Sequence, residues 1–189
     1  MNTIHVLPGF DGEHCIECGD QVHPVRVLAG RIRCIDCQTW LERGDQMRGY
    51  AAIGLDRPKD TANLGGVLRA AGCYGAAVVL LSGGRMGKYA TDTMKAYRHI
   101  PCIEVDDLLA ACPYGAMPVG VEITNQSKSL FNFVHPPSAF YIFGPEDGSI
   151  RKDIIERVPF VVQIPTNGCM NLAATVNVLL YDRMCKQSL

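Results

Sequence analysis

The sequence has no excess of charge of either sign. Its 18 lysines and arginines face 19 acidic residues, which gives a formal net charge of −1 at pH 7. Nucleic-acid-binding proteins usually carry a basic excess. The balance of charges therefore counts against a broadly basic binding surface, so RNA or DNA would have to bind at a local basic patch.

Long hydrophobic runs and leader-like segments are also missing. No stretch has the length and apolarity of a membrane span, and the N-terminus lacks a basic segment followed by an apolar core. There are no internal repeats, low-complexity tracts or long charge runs. We therefore expect a cytoplasmic protein that spans no membrane. The 189 residues, 48% of them hydrophobic, suffice for one globular domain and a small appendage.

Cysteine, in contrast, is abundant: the chain has nine. Disulfides are rare in the cytosol, where paired cysteines more often bind metal. Two CxxC pairs, Cys15/Cys18 and Cys34/Cys37, are separated by 15 residues, and four thiolates complete a tetrahedral zinc site. We predict a zinc-ribbon-like domain with short β strands over residues 1–48.

Two other interpretations of these four cysteines remain. They could lie reduced in a small hydrophobic core, or one pair could be a redox dithiol. The latter needs a thioredoxin-like βαβ unit, which the sequence does not display. The role of the segment is also open, because RNA binding through its arginines and a structural or protein-contact role both fit its composition.

From residue 49 to the end the pattern alternates between strands and helices, which predicts a mostly parallel sheet flanked by helices. Apolar runs indicate strands, and helical spacing of apolar residues indicates helices. The predicted strands are 50–55, 75–82, 102–105, 117–123, 140–143 and 158–164, and the predicted helices are 63–71, 106–112 and a segment starting at 172.

The last two strands each end in a Gly/Pro loop. The carboxyl ends of parallel strands form ligand sites, and glycine lets a backbone approach a ligand closely. We therefore expect a site at residues 144–148 and 165–168, with Glu146 and Asn171 pointing into it.

A basic stretch between residues 85 and 99 is the best candidate nucleic-acid surface. It has five basic residues against one acid, with Tyr89 and Tyr97 interleaved. Cations suit phosphates and rings suit base stacking; the alternative is a solvated loop and helix face. The candidate RNA-binding residues are Arg85, Lys88, Lys95 and Arg98.

Three segments in this order and spacing resemble the SpoU (TrmH-like) branch of the SPOUT RNA methyltransferases. They are DTANLGGVLRAA at residues 60–71, FGPEDG at 143–148 and IPTNGCMNL at 164–172. The resemblance covers about residues 50–185. It implies a C-terminal trefoil knot, an obligate homodimer, and methyl transfer from S-adenosylmethionine to a ribose 2′-oxygen of tRNA or rRNA.

The resemblance also implies roles for individual residues. Asn63, Arg69, Glu146 and Asn171 match the family's catalytic positions. The positions that match its cofactor site are Glu122, Ile123, Gly144, Ile164, Pro165 and Met170. Because a guanidinium is almost always protonated, our hypothesis is that Arg69 clamps a phosphate and stabilises charge on the 2′-oxygen, and that Glu146 and Asn171 orient Arg69 and Asn63.

Two positions depart from the family pattern, which usually has serine where this chain has Cys169 and Ala173. A thiol is a poorer hydrogen-bonding group than a hydroxyl. The departures keep open a non-catalytic RNA-binding protein with a degenerate fold. Methylation of a base is a third possibility, against which the helix bearing Asn63 and Arg69 argues.

Overall fold

A computed structural model of the protein describes residues 49–83 and 98–187, and the described residues from Tyr50 onward form one compact unit. The predicted zinc ribbon with Cys15, Cys18, Cys34 and Cys37 lies outside the described residues. So do the basic residues Arg85, Lys88 and Lys95.

Seven strands and three helices make up the described part of the chain. Their bounds are β1 (Ala51–Asp56), α1 (Thr61–Cys73), β2 (Val78–Ser82), β3 (Cys102–Val105), β4 (Met117–Val121), β5 (Lys128–Ser129), β6 (Ala139–Phe143), α2 (Lys152–Ile155), β7 (Phe160–Gln163) and α3 (Leu172–Gln187). A short 3-10 helix, Leu130–Asn132, follows β5.

The strands form one sheet in the order β3-β2-β1-β6-β4-β7-β5, and all six pairings are parallel. The expectation of a mostly parallel α/β sheet is confirmed. Because the strands run the same way, the loops after β1, β4, β6 and β7 all leave from one edge of the sheet.

The central strands are buried on both faces, which explains their continuous apolar sequence. Along β6, Tyr141 and Phe143 face the cluster that includes residues of α1 and α3, whereas Phe140 and Ile142 face a second cluster that includes Ile154 of α2. Successive side chains of a strand point to opposite faces. The helices therefore flank the sheet on both sides.

Helix α1 begins where Asp60 caps it, since the carboxylate accepts a hydrogen bond from the N–H of Ala62 at 2.7 Å. The apolar side chains of Leu64, Val67, Leu68 and Ala71 form a buried stripe on α1 and pack into the core. A Cβ placed on Gly66 would lie 2.6 Å from the Cβ of Ala173. Glycine at this position therefore permits close packing of α1 against α3.

The predicted helix at 106–112 is wrong. The segment forms a turn in which the Asp107 carboxylate accepts from the N–H groups of Leu109 and Ala110 at 2.7 and 3.2 Å. Aspartate competes in this way with the helical hydrogen bonds. The sequence analysis also missed α2 and β5. These elements have four and two residues, which are too few to show a hydrophobic period.

In the described ranges, no helix combines the length and the apolarity needed to cross a membrane.

Candidate active site

A cleft lies at the carboxyl edge of the sheet, between the loops that follow β4, β6 and β7. Its lining includes both apolar side chains and polar groups. The lining residues are Val121, Glu122, Ile123, Phe143, Gly144, Pro145, Glu146, Gly148, Gln163, Ile164, Thr166, Cys169, Met170, Leu172 and Thr175.

Five of the six predicted cofactor-binding residues line this one cleft. Glu122 and Ile123 come from the end of β4, Gly144 from the end of β6, and Ile164 and Met170 from the loop between β7 and α3. The sixth, Pro165, is exposed between two lining residues and is not among them.

The shape of the loop after β6 depends on Gly144 and Glu122. A Cβ on Gly144 would lie 2.7 Å from the backbone nitrogen of Ile150, so only glycine lets the loop fold back at this point. The Glu122 carboxylate accepts from the N–H groups of Ile150 at 2.9 Å and Ile123 at 3.0 Å. Its oxygens thus hold the loop, and Glu122 shapes one wall of the cleft.

Three of the four predicted catalytic residues form a continuous hydrogen-bonded chain. The Asn63 Nδ2 donates to Glu146 Oε1 at 3.0 Å, and the Asn171 Nδ2 donates to Asn63 Oδ1 at 2.5 Å. Because a carboxylate only accepts, Glu146 fixes the Asn63 amide, which in turn fixes that of Asn171. Glu146 and Asn171, which lie 83 and 108 positions after Asn63 in the sequence, thereby meet Asn63 at one point.

Asn171 also begins the last helix. Its Oδ1 accepts from the N–H of Ala174 at 3.2 Å, as the side chain of an N-cap residue does. Its carbonyl accepts from the backbone N–H and the hydroxyl of Thr175, both at 2.9 Å. The chain of side chains consequently joins the loop after β6 to the first turns of α1 and α3.

Glu146 is held as a carboxylate. Desolvation acts to raise its pKa, but hydrogen bonds from its own N–H, from Asn63 and from the N–H groups of Lys59 and Asp60 outweigh that effect and lower the pKa below its ordinary value. The bonds from Lys59 and Asp60 measure 3.1 and 3.3 Å. The lowered pKa makes Glu146 a poor proton donor at neutral pH and suits it to positioning.

Arg69 lies six residues beyond Asn63 on α1, which is about 9 Å along the helix axis. Its side chain is exposed, away from the buried stripe of the helix. Arg98, the fourth candidate RNA-binding residue, is also exposed.

The two departures from the family pattern lie in different surroundings. Cys169 is an exposed free thiol in the lining of the cleft. Ala173 packs against Gly66, where a larger side chain would find little room.

Sequence reasoning missed several polar residues at this edge of the sheet. Gln163, Thr166 and Thr175 line the cleft, and Asp56 is fully buried at the end of β1. Asp56 and Gln163 each occupy the last position of a strand, and that position is the signal that could have identified them.

The family can now be assigned. The sequence model of the SpoU rRNA Methylase family matches residues 50–181. The chain belongs to this family.

Proteins named as RNA methyltransferases are similar to this chain in sequence or structure. A protein of Archaeoglobus fulgidus named as an uncharacterized tRNA/rRNA methyltransferase is 27% identical over 144 residues, which are 70% of this chain and 63% of that protein. An rRNA methyltransferase from Sinorhizobium meliloti, solved with AdoMet bound, superimposes with a TM-score of 0.65 at 20% identity over 73% of this chain and 57% of that one.

A third protein, whose structure is described as giving insights into the 2-OH methylation of C/U34 on tRNA, superimposes with a TM-score of 0.65 at 22% identity. That match covers 79% of this chain and 98% of the other. This SpoU-family chain spans less than two thirds of the length of the Archaeoglobus and Sinorhizobium proteins.

Proposed function

We propose that this SpoU-family protein is an RNA methyltransferase that transfers a methyl group from S-adenosylmethionine to a ribose 2′-oxygen of tRNA or rRNA. The observation that carries the proposal is the Glu146–Asn63–Asn171 chain beside a cleft built from the loops at the carboxyl ends of parallel strands. The family assignment and the activities for which the similar proteins are named support it.

The residues of the cleft fit S-adenosylmethionine. Phe143, Ile164 and Leu172 offer apolar surface, while the close turn at Gly144 brings main-chain groups to the wall. The proposed holding residues remain Glu122, Ile123, Gly144, Ile164, Pro165 and Met170. When bound, the cofactor supplies a methyl group already activated on a sulfonium.

The protein's own residues would align the ribose. We assign Arg69 to a substrate phosphate and to the negative charge that develops on the 2′-oxygen, because a guanidinium is a poor base and a good electrostatic stabiliser. The described contacts of Glu146 and Asn171 hold Asn63, so these two residues act through Asn63. Alignment of this kind provides a large part of the rate in a displacement reaction.

The knot and the homodimer are also parts of this proposal. The strand order supports threading of the C-terminal segment, since β6 lies between β1 and β4, and β7 lies between β4 and β5. On α3, the apolar side chains of Val178 and Tyr181 are exposed one turn apart, as expected for a surface that a second copy covers. Light scattering on the full chain tests the dimer.

For residues 1–48 we retain the zinc-ribbon-like domain, with residues 49–189 as the methyltransferase domain. Four thiolates in two CxxC pairs are a donor set that zinc prefers. Elemental analysis of the purified protein should find one zinc per chain, and substitution of both Cys15 and Cys18 by serine should abolish it.

The decisive experiment supplies labelled S-adenosylmethionine with bulk tRNA and, separately, rRNA, followed by digestion and identification of the nucleosides. A labelled 2′-O-methylnucleoside from either pool establishes the activity and its substrate class. Label in a base would overturn the ribose assignment.

A non-catalytic RNA-binding protein is the second candidate, favoured by the thiol of Cys169 in the cleft lining. Calorimetry with S-adenosylmethionine separates the two. Absence of both methyl transfer and cofactor binding would favour the binding protein, whereas tight cofactor binding without transfer would point to an untested RNA or a missing partner.

A further inference from the structure

A buried carboxylate holds two arginines at the carboxyl end of β1. Asp56 is fully buried; its Oδ1 accepts from Arg151 Nε at 2.9 Å, and its Oδ2 accepts from Arg57 Nη2 at 3.1 Å and from the Arg151 backbone N–H at 3.0 Å. The two arginine side chains are nevertheless 44% and 34% exposed. A surface ion pair would not fix two long side chains in this way.

The cluster carries an excess of positive charge. Asp56 balances only one of the two guanidiniums, and the other side-chain and backbone acceptors they reach, Ser82 Oγ and the Ser149 carbonyl, are neutral. Arg57 also acts electrostatically on Asp147 and Arg151 on Asp107, but Asp147 pairs with Lys59 at 2.7 Å and Asp107 lies 4.0 Å from Arg157, so each of these acids has a cation of its own.

Donor groups also remain available. Contacts to the described residues engage Nε and Nη2 of each guanidinium, and within those residues no acceptor lies at either Nη1. A guanidinium has five N–H donors in a planar fork that suits phosphate oxygens. Two such forks anchored on one carboxylate can receive a phosphate between or above them.

The backbone at Arg57 is strained. Its φ is +51°, and among the described residues no other non-glycine has a positive φ. Its N–H donates to the Ser82 carbonyl at 2.7 Å, which ties the strained residue to the end of β2. This conformation costs about 1 kcal/mol or more, and such strain clusters at functional sites.

The pair adjoins the proposed active site. Arg57 lies just before Lys59 and Asp60, whose N–H groups bind Glu146, and Arg151 follows the loop that contains Glu146. We propose that Arg57 and Arg151 bind a backbone phosphate of the RNA strand close to the nucleotide that receives the methyl group, with Asp56 fixing their geometry. This inference rests on the proposed function and deepens it.

A purely structural cluster is the competing explanation, in which the arginines only neutralise Asp56. The salt dependence of RNA binding distinguishes the two, because each phosphate contact contributes about 0.7–0.9 to the slope of log affinity against log salt concentration. Loss of a structural ion pair lowers stability and leaves this slope unchanged.

The test measures binding of the full chain to bulk tRNA and to rRNA over a range of salt concentrations. Arg57→Gln and Arg151→Gln should each reduce the slope, and the double variant should reduce it by about 0.7–0.9 in all, because the two arginines share one phosphate. Arg157→Gln is the matched control, since Arg157 is 58% exposed and its nearest carboxylate is that of Asp107, itself exposed, at 4.0 Å; its slope should equal that of the wild type. Unchanged slopes in the first two variants, or equal losses in all three, would overturn the proposal.

Arginine footprinting of the wild-type protein gives an answer that does not depend on stable variants. RNA should protect Arg57 and Arg151, but not Arg157, from an arginine-selective dicarbonyl reagent; equal protection or none overturns the proposal. Methyl transfer without these effects would sink the phosphate site alone. The effects without methyl transfer and without cofactor binding would overturn the proposed catalysis alone, and absence of RNA binding would overturn both.

Discussion

At the scale of single residues, the site depends on the direction of its hydrogen bonds. An ionised Glu146 can only accept, so it orients Asn63, and Asn63 can then only accept from Asn171. The direction of the hydrogen bonds is fixed at one end by the charge of Glu146 and at the other by Asn171, whose Oδ1 caps α3. Neutralising Glu146 should therefore affect geometry more than local chemistry.

Glu146→Gln should lower both stability and methyl transfer. We expect a loss of roughly 1 kcal/mol at pH 7, because charge-assisted hydrogen bonds become neutral in an exposed setting, and a roughly 10- to 100-fold loss of transfer from misalignment. The folded pKa of Glu146 is lowered, so its stabilisation is present above its ordinary pKa of 4.5 and is lost as pH falls through the folded value.

Urea unfolding of wild type and variant tests this. The stability difference should be constant from neutral pH down to about 5.5 and should narrow below about 4.5. A difference that does not depend on pH would show that the charge of Glu146 is not what the hydrogen bonds require.

Cys169 provides a chemical probe of the proposed cofactor site. Its thiol is exposed and lines the cleft, so S-adenosylmethionine should slow its alkylation by roughly tenfold at ligand concentrations ten times Kd. Cys73, an exposed thiol at the end of α1, is the control and should react at the same rate with and without ligand. If Cys169 were alkylated at the same rate with and without bound cofactor, the ligand would have to bind elsewhere.

At the scale of elements, two helices far apart in the sequence position the asparagines that we propose to be catalytic. Helix α1 brings Asn63 and α3 begins after Asn171, so the distance between the helices sets the hydrogen bond that joins these side chains. The contact of Gly66 with Ala173 is the place where this distance is limited.

Gly66→Ala should therefore separate the helices. An added methyl would lie 2.6 Å from the Ala173 Cβ, and overpacking of this kind costs about 1–3 kcal/mol, which outweighs the gain of about 1 kcal/mol in helix propensity. We expect a lower free energy of unfolding and a larger fractional loss of methyl transfer than of cofactor affinity.

The matched control is the double variant of Gly66→Ala with Ala173→Gly, which moves the methyl group from one helix to the other. It should recover most of the stability and transfer lost in the single variant. A Gly66→Ala protein as active and stable as wild type would mean that the contact does not set the spacing.

At the scale of the whole molecule, the sequence predicted those strands and helices that have a recognisable local pattern of apolar residues. The buried strands were recognisable as continuous apolar runs, and α1 and α3 by their apolar spacing. Strand order was not recognisable, because it depends on which strands pair over long sequence separations. The insertion of β6 between β1 and β4 has no local signature.

In the site, too, local sequence identified some residues, whereas others depend on long-range contacts. Glu146 and Asn171 could be grouped because each follows a strand that ends in a Gly/Pro loop, but Asn63 joined them only through the family resemblance. Asp56 and Arg151 escaped notice, because a lone acid and a lone arginine in polar loops resemble ordinary surface residues. Their partnership exists only once the sheet brings the loops after β1 and β6 together.

A buried polar network ties the C-terminal half of α3 to β6. His135 Nε2 lies 2.8 Å from Asp182 Oδ2, and its Nδ1 lies 2.7 Å from the Tyr141 hydroxyl. Desolvation lowers the pKa of His135 to about 4, with help from Arg183 and Lys186 and against the opposing effect of Asp182. Burial raises the pKa of Tyr141 to about 12, so its hydroxyl stays protonated and can donate to the neutral imidazole.

This network should make the fold acid-sensitive. A histidine whose folded pKa is about 4 against an ordinary 6.5 binds its proton more readily in the unfolded chain, so stability is lost as pH falls from 6.5 to 4. The contribution is on the order of 3 kcal/mol. His135→Gln should be less stable at pH 7 and much less dependent on pH in this window, as measured by urea unfolding. His99→Gln, at an exposed position, is the control and should keep the wild-type dependence of stability on pH. If His135→Gln also kept the wild-type dependence, the buried imidazole would contribute little to the difference in proton uptake between the folded and unfolded chains. The acid sensitivity would then have to come from carboxylates.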